Sequence, residues 1–452
     1  MVRSLTEMNS YAMQWLVVLP LEIVAATLTI EYWSDGNINN DAWVAIFLVL
    51  IIVINLFGVR GYGEAEFVFA IVKVIAVVGY IILGIILTCG GGPDGGYIGG
   101  KNWHNPGAFN NGFKGLCSVF VTAAFAFAGT ELVGLAAAET ANPRKSLPTA
   151  VKQVFWRISL FYIVSLTIVG LLVPFDDERL INGSSSADAK ASPFVISITN
   201  AGISGLPSVI NAVILIAVLS VGNSSIYGSS RTLAALADQN QAPKILGYID
   251  RKGRPIVAIG VASVLGFLAF FAGSSKQTDA FNWMLALSGL SSIFTWGSIC
   301  LAHIRFRAAW KKQGHTLEEL AFRSQPGVWG SWVGFIFNCL VLIAQFWTAV
   351  WPIGYADMTP SEIAEGFFEA YLAAPVVILF VSPAYKLRLQ PETNTFPQYV
   401  VYKVWMKTPF VRSHNMDLHT GIRDMNVAEL IEEERAERAT WPAWKRMYKF
   451  FC

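Results

Sequence analysis

The chain has 452 residues, 54% of them hydrophobic and only 14% charged, with a mean hydropathy of +0.49. So apolar a composition excludes a soluble globular domain and points to a polytopic membrane protein. The net charge of +2 sits in short basic clusters beside apolar runs, which excludes nucleic acid as a partner and assigns the charges to membrane topology.

Taken in chain order, apolar runs fall at 12–30, 42–57, 67–88, 116–138, 155–173, 207–227, 256–273, 281–304, 329–350 and 366–381. Each approaches or exceeds the roughly 17 to 25 residues that carry an α-helix across a bilayer. Barrel strands are short and alternating, so the runs predict an all-α polytopic bundle embedded in the lipid bilayer. Three segments follow: residues 1–11 as a short cytoplasmic N-terminus, 12–385 as the transmembrane domain and 386–452 as a cytoplasmic C-terminal tail.

The connections that carry Arg60, then Arg144, Lys145, Lys152 and Arg157, then Arg231, Lys244, Arg251, Lys252 and Arg254, and finally Arg305, Arg307, Lys311, Lys312 and Arg323 alternate with connections poor in Lys and Arg. By the positive-inside rule the basic set is cytoplasmic, which places both termini inside. On the outer side the glycine-rich 90–100 loop lacks the GxxxxGK[ST] pattern of a phosphate cradle and reads as a flexible connection. Asn182-Gly-Ser is an outward glycosylation sequon. In the tail, 427–449 mixes acidic, basic and aromatic residues at helical spacing, as a solvated helix on the membrane surface does.

The five cysteines are scattered, with no CxxC spacing and no histidine cluster, and no nucleophile–base pair or nucleotide motif stands out. No cofactor, metal or enzymatic activity is therefore expected. The chemistry rests instead on polar residues inside the spans, where a charge costs roughly 2.5 to 3.5 kcal/mol even on lenient insertion scales. Glu22 follows Pro20 in the first run, Lys73 lies in an apolar third run, Glu131 lies in the fourth, and Asn223, Ser224 and Ser225 occupy the inner half of the sixth. For Glu22 and Lys73 the plain alternatives are a buried charge met by a partner, or a side chain snorkelling to the interface. For the serines and Asn223, and for Ser288-Gly289, the alternatives are interhelical hydrogen bonding and close helix packing.

The stretch Gly129-Thr130-Glu131 stands apart. Glycine at mid-span lets the backbone leave helical geometry, and the freed N–H and C=O groups then need partners that lipid does not offer. A small zwitterion can supply them, its carboxylate facing a half-helix N-terminus and its ammonium the unwound carbonyls.

The segments "AMQWLVVLPLEIVAATLTIEYW", "INLFGVRGYGEAEF", "AAFAFAGTELVGLAAAETANPRKSLPTAVKQVFWRI", "APKILGYIDRKGRP", "LALSGLSSIFTW" and "GVWGSW" closely resemble the fungal general amino acid permeases of the amino acid, polyamine and organocation superfamily. That resemblance covers the chain from about residue 11 onward. It implies a leucine-transporter-like fold of twelve spans with two inverted repeats, and uptake of L-amino acids with protons across the plasma membrane. Carried over by position, Phe127, Ala128, Gly129, Thr130 and Glu131 form the unwound substrate-binding stretch. Gln14 and Ser288 fall where family members vary with side-chain preference. Lys73 lies near the position that holds sodium in sodium-coupled relatives, and it joins Glu22 and Glu131 as a candidate proton-coupling residue. The tail is where trafficking or ubiquitin-ligase machinery would act.

If the run at 116–138 opens the second repeat, five spans are expected before it, and three are found. The expectation is therefore that the first two of twelve are missing, and with them the segment that faces Gly129. Two other readings follow from the same residues: an amino acid sensor with a permease fold, and a non-transporting fragment.

Overall fold

The computed structural model describes residues 4–34, 38–93, 96–136, 143–181, 183, 190–239, 242–273, 277–320, 324, 326–374, 413–414, 416–418 and 440–442. The tail beyond these short pieces, including 427–439, 443–449 and Cys452, and the sequon residue Asn182 lie outside the described residues.

Among the described residues all regular structure is helical. In order the helices are α1 (Ser4–Ser34), α2 (Asn40–Leu56), α3 (Gly58–Thr88), α4 (Gly112–Ser118), α5 (Phe120–Phe127), α6 (Leu132–Ala136), α7 (Pro143–Arg157), α8 (Ser165–Leu172), α9 (Glu178–Ile181), α10 (Pro193–Asn200), α11 (Leu206–Asp238), α12 (Ile256–Gly266), α13 (Gln277–Lys312), α14 (Gly327–Val350) and α15 (Pro360–Tyr371). Seven helical stretches among the described residues are long and apolar enough to cross a membrane, and the apolar helices Asn40–Leu56 and Ile256–Phe270 are shorter. The chain is thus an all-α polytopic membrane protein. The first nine runs predicted from hydropathy each overlap these helices, the fourth being described only to residue 136 and the tenth only to residue 374.

Several helices outrun their apolar stretch. The third begins at Gly58 rather than 67, the eleventh ends at Asp238 rather than 227, and the thirteenth covers Gln277–Lys312 rather than 281–304. Hydropathy marks the part immersed in lipid, whereas backbone hydrogen bonding carries the helix on into the polar zone beyond it.

The core is built around α1, whose Ile23, Val24 and Ala26 are fully buried. That helix packs against α11, α13, α12 and α2, and its residues Leu19, Leu21 and Leu28 join Phe47, Leu48, Ile226 and Phe281 in the largest apolar cluster. By contrast α3 presents Phe67, Val68, Ile75, Ile82 and Ile85 on an exposed face. In a membrane protein that face belongs to the lipid.

Small residues set the close crossings, as lipid-immersed bundles require. A Cβ on Gly289 of α13 would lie 2.6 Å from the Val121 carbonyl oxygen of α5, and one on Gly266 would lie 2.6 Å from Leu48 Cδ1. At the α3–α8 crossing Gly84 seats the Ile168 side chain, and Tyr80 shares a 3.0 Å hydrogen bond with Ser197 of α10.

Candidate functional site

The fourth predicted run is one interrupted helix. Its first part ends at Phe127, Ala128 turns to an extended conformation (φ −57°, ψ 146°), Gly129 takes φ +92°, and the helix resumes at Leu132. A side chain at 129 would be strained by that φ and would also sit 3.3 Å from the Trp15 ring, so glycine is required there on two grounds.

The break is held by its own Glu131 and by side chains from two other parts of the chain. Glu131 folds back so that Gly129 N–H donates to its Oε1 at 3.3 Å, and Trp296 Nε1–H of α13 donates to its Oε2 at 3.2 Å. The Thr130 hydroxyl lies 3.5 Å from the same Oε2. The Tyr162 hydroxyl donates to the Ala126 carbonyl at 3.0 Å, and its ring packs on Phe127 with centroids 4.9 Å apart. Turn bonds pair Ala128 N–H with Phe125 O and Leu132 N–H with Gly129 O. Left over are the carbonyls of Ala128 and Thr130 and the N–H groups of Thr130 and Glu131, which make no hydrogen bond among the described residues.

Facing the break are α1 and α13. Gln14 Nε2–H donates to Ser292 Oγ at 2.8 Å, one turn from Ser288. The Tyr11 hydroxyl, Trp15 Nε1, Gln14 Oε1, Ser288 Oγ and Ser291 Oγ are all buried without a hydrogen-bond partner. Buried polar atoms are ordinarily satisfied, so such a group of open donors and acceptors beside an unwound backbone is equipped to take a polar ligand. Gly289 also makes the tight packing contact that its small size suggests.

The sequence-predicted residues do not form one cluster. Glu22 lies seven residues beyond Trp15, about 10 Å further along α1. It is buried (6% exposed) and lines a cavity of about 970 Å³ together with Thr29, Phe125, Asn282, Gln345 and Glu369. Glu131 is not among the residues that line it, so the two carboxylates belong to different places.

Lys73 belongs to a third place. Its Nζ donates to Ser220 Oγ at 2.8 Å, and the Ser220 hydroxyl donates to Glu66 Oε2 at 2.7 Å. Asn223 Nδ2–H reaches Glu66 Oε1 at 2.8 Å, and Asn55 Nδ2–H reaches Asn223 Oδ1 at 2.8 Å. Glu22 is on the other side of α11, where Gly222 lets α1 approach: a Cβ there would be 3.5 Å from Glu22 Cβ. Of the polar run on α11, Asn223 bonds between helices, Ser224 pairs with the Tyr62 hydroxyl at 3.0 Å, and Ser225 turns back to the Gly222 carbonyl of its own helix.

Sequence reasoning passed over Tyr11, Trp15, Trp296, Ser292, Tyr162, Glu66 and Asn55. Glu66 sat one residue before the predicted third run and so counted as loop. The aromatics carried no signal, since a Trp in an apolar run reads as packing.

An interrupted membrane helix closed by a half-buried carboxylate, inside a polytopic helical bundle, defines the architecture. The chain belongs to the amino acid permease family, whose model matches residues 4–390. It is 60% identical to the general amino-acid permease GAP2 of Candida albicans over 98% of this chain and 72% of that protein. It is 55% identical to the general amino-acid permease GAP1 of Saccharomyces cerevisiae, over 98% and 71% of the two chains. With the histidine permease of Saccharomyces cerevisiae it shares 50% identity over 95% and 69%.

Proposed function

We propose that the chain is a secondary active transporter that imports L-amino acids with protons across the plasma membrane. The observation that carries this reading is the set of open backbone groups at Ala128, Thr130 and Glu131, within a family of amino acid permeases. A free amino acid presents an ammonium that needs carbonyl oxygens and a carboxylate that needs N–H groups. The unwound stretch offers both kinds within four residues, and the N–H groups of Thr130 and Glu131 stand at the start of α6. Phe127 to Glu131 then hold the α-amino and α-carboxyl groups, while Gln14 and Ser288 face the variable side chain.

Coupling requires a group that changes charge as the substrate is carried. Glu22, Lys73 and Glu131 are the candidates, each an ionisable side chain in a span. The orientation that the basic loops support puts both termini in the cytoplasm, with 12–385 as the permease domain and 386–452 as the tail available to trafficking machinery. Uptake of radiolabelled amino acids by cells lacking their own permeases, measured together with inward proton current, tests the proposal. Saturable uptake without proton current removes the coupling; binding without uptake removes the transport.

A further inference from the structure

The chain Lys73–Ser220–Glu66 has the directionality of a proton wire. The ammonium of Lys73 donates to Ser220 Oγ at 2.8 Å, and the Ser220 hydroxyl in turn donates to Glu66 Oε2 at 2.7 Å. Every donor in the line points the same way. We propose that Glu66 is the acceptor that takes the proton from Lys73, and that Ser220 is the hydroxyl through which it passes; this rests on the proton-coupled reading above.

The step balances. One proton leaves Lys73 Nζ for Ser220 Oγ while the original Ser220 hydroxyl proton moves to Glu66 Oε2. Lys73 ends as a neutral amine, Glu66 as a neutral acid and Ser220 unchanged, so the net charge of the group stays the same. Two heavy-atom separations under 3 Å meet the reach that proton transfer demands.

Position supports a direction. Lys73 stands fifteen residues from each end of α3, since 73 − 58 and 88 − 73 are both 15. Glu66 lies seven residues nearer the Gly58 end, about 10 Å away and on the same face. That end adjoins Arg60 in the basic, cytoplasmic set, so the wire leads from mid-membrane inward. Glu66 is also held in place from its other side. Asn223 Nδ2–H binds its Oε1, and Asn55 fixes the Asn223 amide by donating to its oxygen.

The charged surroundings do not compete for this role. On α3 itself Arg60 and Glu64 pair with each other on the exposed face at 2.9 Å. From α11, Arg231 lies over the Tyr227 ring, with Cζ 3.7 Å from its centroid. The apolar α8 carries no ionisable side chain, and the one charge of α2, Asp41, stands at its opposite end. On α1, Glu22 approaches α11 from its far side at Gly222.

The test uses the full chain in proteoliposomes with an imposed inward pH gradient. Glu66→Gln keeps the side-chain shape and one acceptor oxygen, enough for one of the two donors Asn223 and Ser220, but does not accept the proton, and Ser220→Ala cuts the wire. Both are expected to lower proton-driven accumulation by about 100-fold, the scale of a lost general acid–base group, with a much smaller loss of downhill amino acid exchange. Glu66→Asp and Ser220→Thr restore part of the accumulation. Glu66→Gln with wild-type accumulation and pH profile overturns the proposal. Equal losses of accumulation and exchange, with a lowered melting temperature, overturn it too, in favour of a structural role. Wild type without proton-driven accumulation is a separate result that overturns the coupling reading and the wire with it.

Discussion

The indole N–H of Trp296 donates to Glu131 Oε2 at 3.2 Å, while the other oxygen of that carboxylate accepts the Gly129 N–H of its own chain segment. One side chain thus ties α13 to the break between α5 and α6, 165 residues away in sequence. Trp296→Phe keeps an aromatic ring but removes the donor together with the five-membered ring that carries it. A hydrogen bond to a charged group contributes about 1.5 to 3 kcal/mol. The variant is expected to raise the KM for amino acid uptake by roughly 10-fold or more at unchanged surface expression. Glu131→Gln weakens both contacts and is expected to lose more. Radiolabelled uptake normalised to surface labelling reads both.

Gly129→Ala tests whether the break needs its backbone shape. Left-handed geometry costs an L-residue about 1 to 2 kcal/mol. The added methyl also meets Trp15 at 3.3 Å, and Trp15 is itself buried (2% exposed), so the ring has little room to yield. Uptake should fall by about 10-fold or more while the protein still inserts, because only the unwound segment is disturbed. Wild-type uptake kinetics in this variant would show that the segment relaxes freely.

How much of this was readable in the sequence depended on whether a residue broke a local pattern. Gly129 and Glu131 interrupt an apolar run, and lipid forbids that without a reason, so the break could be located before any coordinates. Trp15 and Trp296 break no pattern, and their importance arises from a crossing of α1 and α13 over the break that no local window contains. Glu66 was lost for a different reason. Hydropathy ended the run at 67, although helix hydrogen bonding carries on to Gly58. That Glu22 and Glu131 line different places was not legible either, because an apolar run shows that a carboxylate is in a span but not which neighbours it meets.

Gly289→Ala addresses the α5–α13 crossing. Its Cβ would stand 2.6 Å from the Val121 carbonyl oxygen and 2.9 Å from Val121 Cγ1. The closest atom is backbone and has no rotamer to escape into. Overpacking of this kind costs about 1 to 3 kcal/mol. A lower melting temperature of the purified protein is expected, with Gly134→Ala as a control because a Cβ at 134 meets nothing within 4 Å. Equal melting temperatures for the two variants would contradict the close crossing.

The connection before α10 carries a charge clasp whose pH response has a definite sign. Asp177 accepts from Arg179 Nη2 at 2.9 Å and from Arg179 Nε at 3.1 Å, and Arg179 also reaches Asn200 at the end of α10. Chiefly through the Arg179 hydrogen bonds, the Asp177 carboxyl is held below its ordinary value. A depressed folded-state value means that the stabilisation is fully present above the unfolded value of about 3.9 and is lost as pH falls through the lower folded one. The clasp therefore stays closed throughout the mildly acidic range. Amide hydrogen exchange over 177–181 should be independent of pH from about 7 to 5, after correction for intrinsic rates, and should rise only below about 4. Asp177→Asn removes the charge, so its exchange should be faster than wild type above about pH 4 and lack the acid step. An acid step in wild type that begins near pH 6 would mean that the carboxyl is not held down by Arg179.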